Sequence, residues 1–435
     1  MVRLDGKYTT ANIYAETIEE GVYGQVYDII NSKAFEGQTV VCMPDVHVGA
    51  SGPCGLVSTI GNYVCPEHVG VDIGCTVSMM VLDKKILADK YAELEHRIRK
   101  DIPFGHEIHK KAIIDEKEFY KFLTKNFNKY RNCWYEMLSD LPDRVDEKWV
   151  STQLKRIGMD EGTFYKSLGT VGGGNHFVEI DANDDFDAVT LHFGSRNFGL
   201  KVAKYWTKIA NYDATSRRTT IKAITSDLKA KFKREGLDMK LFQAALNKEI
   251  LVRSAGTITG YLSGEDMKGY LCDLCFAQLY AQYNHLTVQN KIKAMLKKYG
   301  INEVKTITTI HNFIDLTDHT LRKSAVRANQ GEELVVPFNM RDGIAVCVGK
   351  GNTEWLNSCS HGAGRRMSRS EAKKTISLEE YTASMKDVYT TTANASTIDE
   401  APMAYKDTDE IVKLITETVD IKYLMKPVIN IKAAE

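Results

Sequence analysis

Apolar and polar positions change rhythm along this chain, and the rhythm divides it into strand-rich and helix-rich blocks. "TVVCMPDVHVGASGPCGLVSTIG", from Thr39 to Gly61, alternates β-rich runs with glycine and proline, which predicts short strands joined by tight turns. "VGVDIGCTVSMMVL", from Val69, reads as a further strand pair, with the acid Asp72 and the thiol Cys75 set into an apolar run. Over roughly 85–168 the period lengthens to that of helices, with charged faces and recurring Trp, Tyr and Phe. Strand character returns in "HFVEI" and "AVTLHFG", yields to a helical section from about 200 to 300, and resumes in "VKTITTIHNF", "LVVPFNM" and "IAVCVGK". No fixed-period repeat or low-complexity linker interrupts this order. The chemically interesting residues fall at strand ends and the helical blocks lie between them. The expectation is therefore one large α/β domain over 1–435, with a composite site at the strand ends and helical insertions.

Composition narrows the picture. The chain has 435 residues, 43% of them hydrophobic, enough for a large core. Lys plus Arg and Asp plus Glu both number 57, so no global field attracts a polyanion and any nucleic-acid surface must be local. Over 201–253, Lys and Arg outnumber Asp and Glu by 13 to 5, a pattern that solvated helix faces explain as well as RNA does. "MVRLDGKYTT" lacks the regions of a signal peptide, and no run reaches the ~20 apolar residues that span a bilayer, so a soluble cytoplasmic protein with no membrane partner is expected. Nine scattered cysteines suit a reducing compartment better than a disulfide framework. The single C-x-x-C, Cys272 to Cys275, sits in a helical pattern without a second pair and reads as core packing.

Against this background six segments stand out, five of them flanked by glycine. They are "MPDVHVG" (Asp45, His47), "VDIGC" (Asp72, Cys75), "GGGNHFVEI" (Asn175, His176, Glu179), "LHFGSRNFG" (His192, Arg196), "TTIHNF" (His311, Asn312) and "SCSHGAGRRMS" (His361). One histidine in such a place is usually a satisfied core or surface residue. Six such segments in one chain point instead to imidazole, thiolate and carboxylate donors that converge from several strand ends, with glycine giving clearance. Cys and His suit zinc, and carboxylate with imidazole also admits manganese, so the residue types leave the metal open. "HGAG" lets backbone N–H groups approach an anion, although a tight turn explains the tetrapeptide equally. No G-x-x-x-x-G-K-[ST] loop and no K-x-D-G motif occurs.

In their order these segments resemble the RtcB family of GTP-dependent RNA-splicing ligases, from about Val41 to Lys432. The resemblance implies an α/β fold, two Mn(II) ions and a histidine that GTP guanylylates. It makes Asp72, Cys75 and His176 the ligands of one ion and Cys75, His192 and His311 those of the other, with Cys75 bridging. His361 is then the nucleophile on the α-phosphorus of GTP. The guanylate would be held by Asn175, His176, Phe177, Val178 and Glu179, by His311 and Asn312, by Pro337, Phe338, Asn339 and Met340, by His361, Gly362, Ala363 and Gly364, and by Lys432. Arg196 corresponds to the family's phosphate-binding arginine. The implied partner is RNA whose 3′-phosphate or 2′,3′-cyclic phosphate end is joined to a 5′-hydroxyl end, in RNA repair or tRNA splicing, by a monomeric enzyme. The chain departs from the family at "PFNMRDG", where "PGSMG" is common, at Ile344, where a hydroxyl residue is frequent, and at Ser324, where glycine is usual. Two other functions use the same donors: a dinuclear metal-dependent phosphoesterase, which would need no guanylylated histidine, and an inactive RNA-binding homologue.

Overall fold

The computed structural model describes residues 1–433, except 212–213, 243–244, 247–248 and 250–259. In chain order the strands are β1 (Val2–Asp5), β2 (Thr10–Ile13), β3 (Val40–His47), β4 (Cys54–Thr59), β5 (Thr76–Leu82), β6 (Phe177–Ala182) and β7 (Asp187–Phe193). After the helical section come β8 (Glu303–Ile310), β9 (Phe313–Asp315), β10 (Thr320–Lys323), β11 (Ala325–Arg327) and β12 (Glu333–Asn339). The last three are β13 (Gly343–Gly349), β14 (Ser358–Ser360) and β15 (Val419–Ile431). One sheet runs β1-β2-β3-β4-β10-β9, a second runs β12-β13-β15-β6-β7-β5-β8, and β11 pairs with β14. The chain is thus mixed α/β, with the two large sheets built from segments far apart in sequence.

The order within the second sheet positions the candidate donors. β5 pairs with both β7 and β8 in antiparallel register, Thr76 lying opposite Phe193 and Ile310. β6 pairs with β7 so that Phe177 faces His192. Neighbouring antiparallel strands bring their starts and ends together alternately. The residues just before β5 and β6, at the end of β7 and just after β8 therefore gather at one edge.

Helices cover this framework. The helix Gly264–Lys297 is buried on all sides from Asp273 to Ala281, as expected of one that runs through a large core. Its Phe276 and Tyr280 pack with Phe119, Phe164 and Phe198 into an aromatic nest whose ring centroids lie 4.6–6.4 Å apart. The same helix steadies the loops at the sheet edge. Asn284 accepts from the backbone N–H groups of Gly169 and Thr170 and donates to the carbonyls of Thr170 and Gly194. His285 bonds Ser78 Oγ at 3.0 Å and the Phe193 carbonyl at 2.8 Å. Cys275 of the C-x-x-C is buried in this helix and Cys272 half-buried, in keeping with core packing.

One sequence expectation fails here. "VGVDIGC" is not a strand but a turn that precedes β5. Gly70 (φ 98°) and Gly74 (φ 73°) occupy the left-handed region, which breaks extended pairing, and the Cys75 N–H closes back onto the Asp72 carbonyl at 3.2 Å. The helical section after residue 200 is present as Arg196–Ala210, Ala214–Glu235 and Gly264–Lys297, although residues 212–213, 243–244, 247–248 and 250–253 of the basic stretch lie outside those described. No helix among the described residues is long and apolar enough to cross a membrane.

Candidate active site

Two groups of donors share one thiol. Asp72, Cys75 and His176 form one, Cys75, His192 and His311 the other, and within each the ligand atoms lie within 4.8 Å of one another. The backbone holds this arrangement, since the His311 N–H donates to the Cys75 carbonyl and the Gly74 N–H to the Asn312 carbonyl, both at 2.8 Å. His176 Nε2 lies 2.9 Å from Asp72 Oδ2 and 3.6 Å from Cys75 Sγ, while His192 Nε2 and His311 Nε2 face each other at 3.2 Å. Asp72 Oδ1 accepts from the backbone N–H and the hydroxyl of Ser195. A Cβ at Gly194 would come within 2.4 Å of that carboxylate, so only glycine fits there.

Electrostatics suits divalent ions. Burial raises the Asp72 carboxyl, but the hydrogen bond and charge of His176 outweigh it and hold the group at about 2. Burial first, then the neighbouring histidines, keeps His192 and His311 well below the ordinary imidazole range and so in the neutral, lone-pair-donating form. Burial and then Asp72 push the Cys75 thiol well up, so a thiolate there calls for a cation beside it. A carboxylate, a thiol and three imidazoles converging in this way fit two divalent cations that share the sulfur.

His361 follows β14 and lies beside this cluster, its ring centroid 5.0 Å from that of His311. Asp45, on β3, accepts from the His361 backbone N–H at 3.2 Å and contacts its Nδ1 at 2.7 Å. Because a carboxylate only accepts, the proton of the neutral ring sits on Nδ1 and the Nε2 lone pair is free. The sequence grouped Asp45 with His47 among metal-capable residues. Asp45 instead orients His361, and His47 stands outside both donor groups with Nδ1 at 2.8 Å from the Asp45 carbonyl. The "HGAG" turn packs against the same strand. Gly364 has φ 73°, and a Cβ there would meet the Asp45 carbonyl oxygen at 2.3 Å.

Two cavities meet at His361. One of about 220 Å³ is lined by Asn175, Phe177, Glu179, Pro337 to Met340, His361 to Gly364 and Lys432. The other, a cleft of about 640 Å³, holds Asp72, Cys75, His176, Arg196, His311 and Asn312. Asn175, Ser324 and His361 line both. Most residues expected to hold the guanylate thus surround the smaller cavity, but His176, His311 and Asn312 face the cleft and Val178 packs in the core. Strand alternation sends Val178 to the face opposite Phe177 and Glu179. Asn312 (φ 57°) is engaged in accepting from the Ser324 N–H at 2.8 Å. Phe338 is buried, and Asn339 spends its side chain on the turn to Asp342.

Lys432 is tied down rather than loose. Its Nζ lies 3.2 Å from Glu400 Oε2 and 5.6 Å from the Phe177 ring centroid. Burial raises the Glu400 carboxyl, but Lys432 and then Arg369 overcome this and hold it at about 2. Glu400, Arg365 and Arg369 were missed in the sequence because they follow no motif with the chemistry of the site; the arginine pair after "HGAG" was the one available sign. Arg196 opens its helix at φ 53°, with Nε on Thr170 Oγ1 at 2.9 Å and Nη2 on the Gly105 carbonyl at 2.6 Å.

Comparison with known proteins agrees with the donor pattern. The family model described as tRNA-splicing ligase RtcB matches residues 25–433. RNA-splicing ligase RtcB of Escherichia coli (strain K12) is 28% identical over 418 residues, 90% of each chain. tRNA-splicing ligase RtcB of Nanoarchaeum equitans (strain Kin4-M) is 25% identical over 441 residues, 87% of this chain and 84% of that protein. The protein of the same name from Aeropyrum pernix is 26% identical over 424 residues, 86% of this chain and 83% of its own. A family match that takes in every strand from β3 to β15, together with all six of these segments, establishes that this chain belongs to the RtcB family.

Proposed function

We propose that this protein is an RNA ligase that joins 3′-phosphate or 2′,3′-cyclic phosphate ends to 5′-hydroxyl ends through a guanylylated His361. The observation that carries this reading is the position of His361 in the wall common to a nucleotide-sized cavity and a wider cleft. A group that takes guanylate from one side and gives it up on the other belongs in such a wall.

Asp45 holds the Nδ1 proton, which leaves Nε2 to attack the α-phosphorus of GTP. The N–P bond forms, the bond to the β-phosphate oxygen breaks and pyrophosphate leaves. A 3′-phosphate oxygen of RNA, in the cleft near Arg196, then attacks the same phosphorus, and the N–P electron pair returns to Nε2. The 5′-hydroxyl finally attacks the activated 3′-phosphorus, GMP leaves and the hydroxyl proton is lost to solvent. A cyclic phosphate enters this sequence after water has opened it to the 3′-phosphate. Asp72, Cys75, His176, His192 and His311 would hold two Mn(II) ions, which when bound neutralise charge on the reacting phosphates. Phe177, Glu179 and Lys432 line the smaller cavity and would hold the base of the nucleotide, and repair of cleaved RNA or splicing of tRNA is the corresponding use.

The test is incubation of the full chain with α-labelled GTP and Mn(II), followed by denaturing electrophoresis. Acid-labile label is expected on the wild type and not on His361→Ala. Undiminished labelling of that variant overturns the assignment, and metal-dependent phosphoester hydrolysis without any labelling overturns the ligase reading.

A further inference from the structure

Glu179 lines the smaller cavity, and behind it on the same strand lies a second buried acid, Asp181, with no cation between the two. Glu179 and Asp181 stand two residues apart on β6, so their side chains leave the same face, and they are 2% and 0% exposed. Thr190 Oγ1 donates to Asp181 Oδ2 at 2.6 Å, and Asn430 Nδ2 donates to Glu179 Oε2. Asp181 Oδ1 has no partner. The charges facing the pair relieve it only in part, since Lys432 draws Glu179 down less than burial and Asp181 raise it. Asp187 on β7 adds negative charge, while Lys432, after β15, is committed to Glu400, which Arg365 and Arg369 also hold. Among the described residues no ion pair reaches either acid. Two carboxylates so placed cannot both stay charged.

We infer that Glu179 and Asp181 share a single proton, and that Asp181 and Asn430 thereby fix how the cavity reads a purine base. The inference rests on the reading of this cavity as the guanylate site. With the proton on Glu179, its O–H donates to Asp181 Oδ1 and the unpartnered oxygen is satisfied. A continuous chain then runs from the Asn430 amide through Glu179 to Asp181, which the Thr190 hydroxyl closes. Burial first, and then the partner acid, raises the Glu179 carboxyl well above its ordinary range; burial likewise brings Asp181 up to about 6. A guanine edge offers an N–H and an amino group. As these donate to Glu179, negative charge moves onto it and the proton passes to Asp181, so no proton leaves the pair. Adenine presents a lone pair where guanine has its N–H, so it can be met only while the proton stays on Glu179 and Asp181 is left as the buried charge. Asp181 never touches the base; it is a positioning residue that keeps the charge and orientation of Glu179 correct.

Two measurements on the full-length chain decide this. Infrared difference spectra between wild type and Asp181→Asn at neutral pH should contain a protonated-carboxyl band that shifts in D2O and fades as the pH rises. Its absence from the wild type overturns the inference, and this holds even if Asp181→Asn does not fold. Equilibrium titration with GTP, without RNA, should show wild-type affinity rising over the pH range in which the shared proton is lost, because the two guanine donors stabilise the charged Glu179 and no longer compete with a proton for it. In Asp181→Asn, whose amide donates without titrating, the affinity should be flat over that range. Asn430→Leu should lower the preference for GTP over ATP by about tenfold. Identical pH profiles for wild type and Asp181→Asn overturn the shared proton while leaving guanylate binding in place. A wild type that has the band yet binds no GTP overturns the guanylate reading and leaves the proton-sharing pair standing.

Discussion

Asp45 and His361 are 316 positions apart and meet through a hydrogen bond of 2.7 Å, the shortest route by which this fold fixes the state of an imidazole. One carboxylate oxygen serves both the ring and the backbone N–H of His361, so an amide replacing the acid must turn its oxygen to the same place. Asp45→Ala is accordingly expected to slow guanylylation by roughly 100-fold or more with metal content unchanged, whereas Asp45→Asn retains much of the rate because its oxygen still accepts from Nδ1. Single-turnover labelling beside metal analysis checks both. Equal losses in the two variants would show that the carboxylate charge, rather than the tautomer, is what His361 requires. Residues of this kind were the least legible in the sequence. Asp72, Cys75, His176, His192, His311 and His361 announce themselves because each is a metal-capable or nucleophilic residue type at a strand end, all but His311 close to glycine. Asp45 carries the same signal yet orients His361, and Glu400 and Asn430 carry none, because their contacts arise only when distant segments meet.

At the scale of elements, the edge formed by β5, β6, β7 and β8 does the assembling, and register decides which side chains can meet. The sequence predicted these strands because their apolar and β-branched runs are bounded by glycine. It misread "VGVDIGC" as another, since valine and isoleucine dominate its composition while two left-handed glycines control its shape. That turn matters for function. It brings Asp72 and Cys75 together before the strand begins, and Cys75 belongs to both donor groups. Cys75→Ser is therefore expected to lose divalent-metal binding and the proposed guanylylation together, a hydroxyl being a far poorer anionic ligand than a thiolate. Two metal equivalents per chain with full labelling, measured by elemental analysis and autoradiography, would reduce Cys75 to a buried thiol.

Across the whole molecule, charge is balanced in sum and uneven in place. Lys201 and Lys204 lie on the helix Arg196–Ala210, which starts beside the cleft, and Lys229, Lys231 and Lys233 lie on the helix Ala214–Glu235. All but the half-buried Lys201 are exposed. Neutralising these five should weaken RNA binding without sequence preference and reduce its dependence on salt, by roughly one unit of slope for each phosphate contact removed. An unchanged slope in filter-binding titrations would leave them as ordinary solvated surface. Arg196→Ala should spare labelling by GTP and block transfer to RNA, since the arginine lies in the cleft and does not line the smaller cavity.

The wall shared by the two cavities also sets the kinetics. If nucleotide and RNA approach one imidazole from separate chambers, the first substrate can react and discharge its pyrophosphate before the second arrives, and the protein can wait in a charged state. Initial rates plotted in double-reciprocal form against GTP, at several fixed RNA concentrations, should give parallel lines. Intersecting lines would mean that both chambers must fill before either step proceeds. With parallel lines, a cell short of GTP would still hold a reserve of ligation events, one for each molecule loaded beforehand.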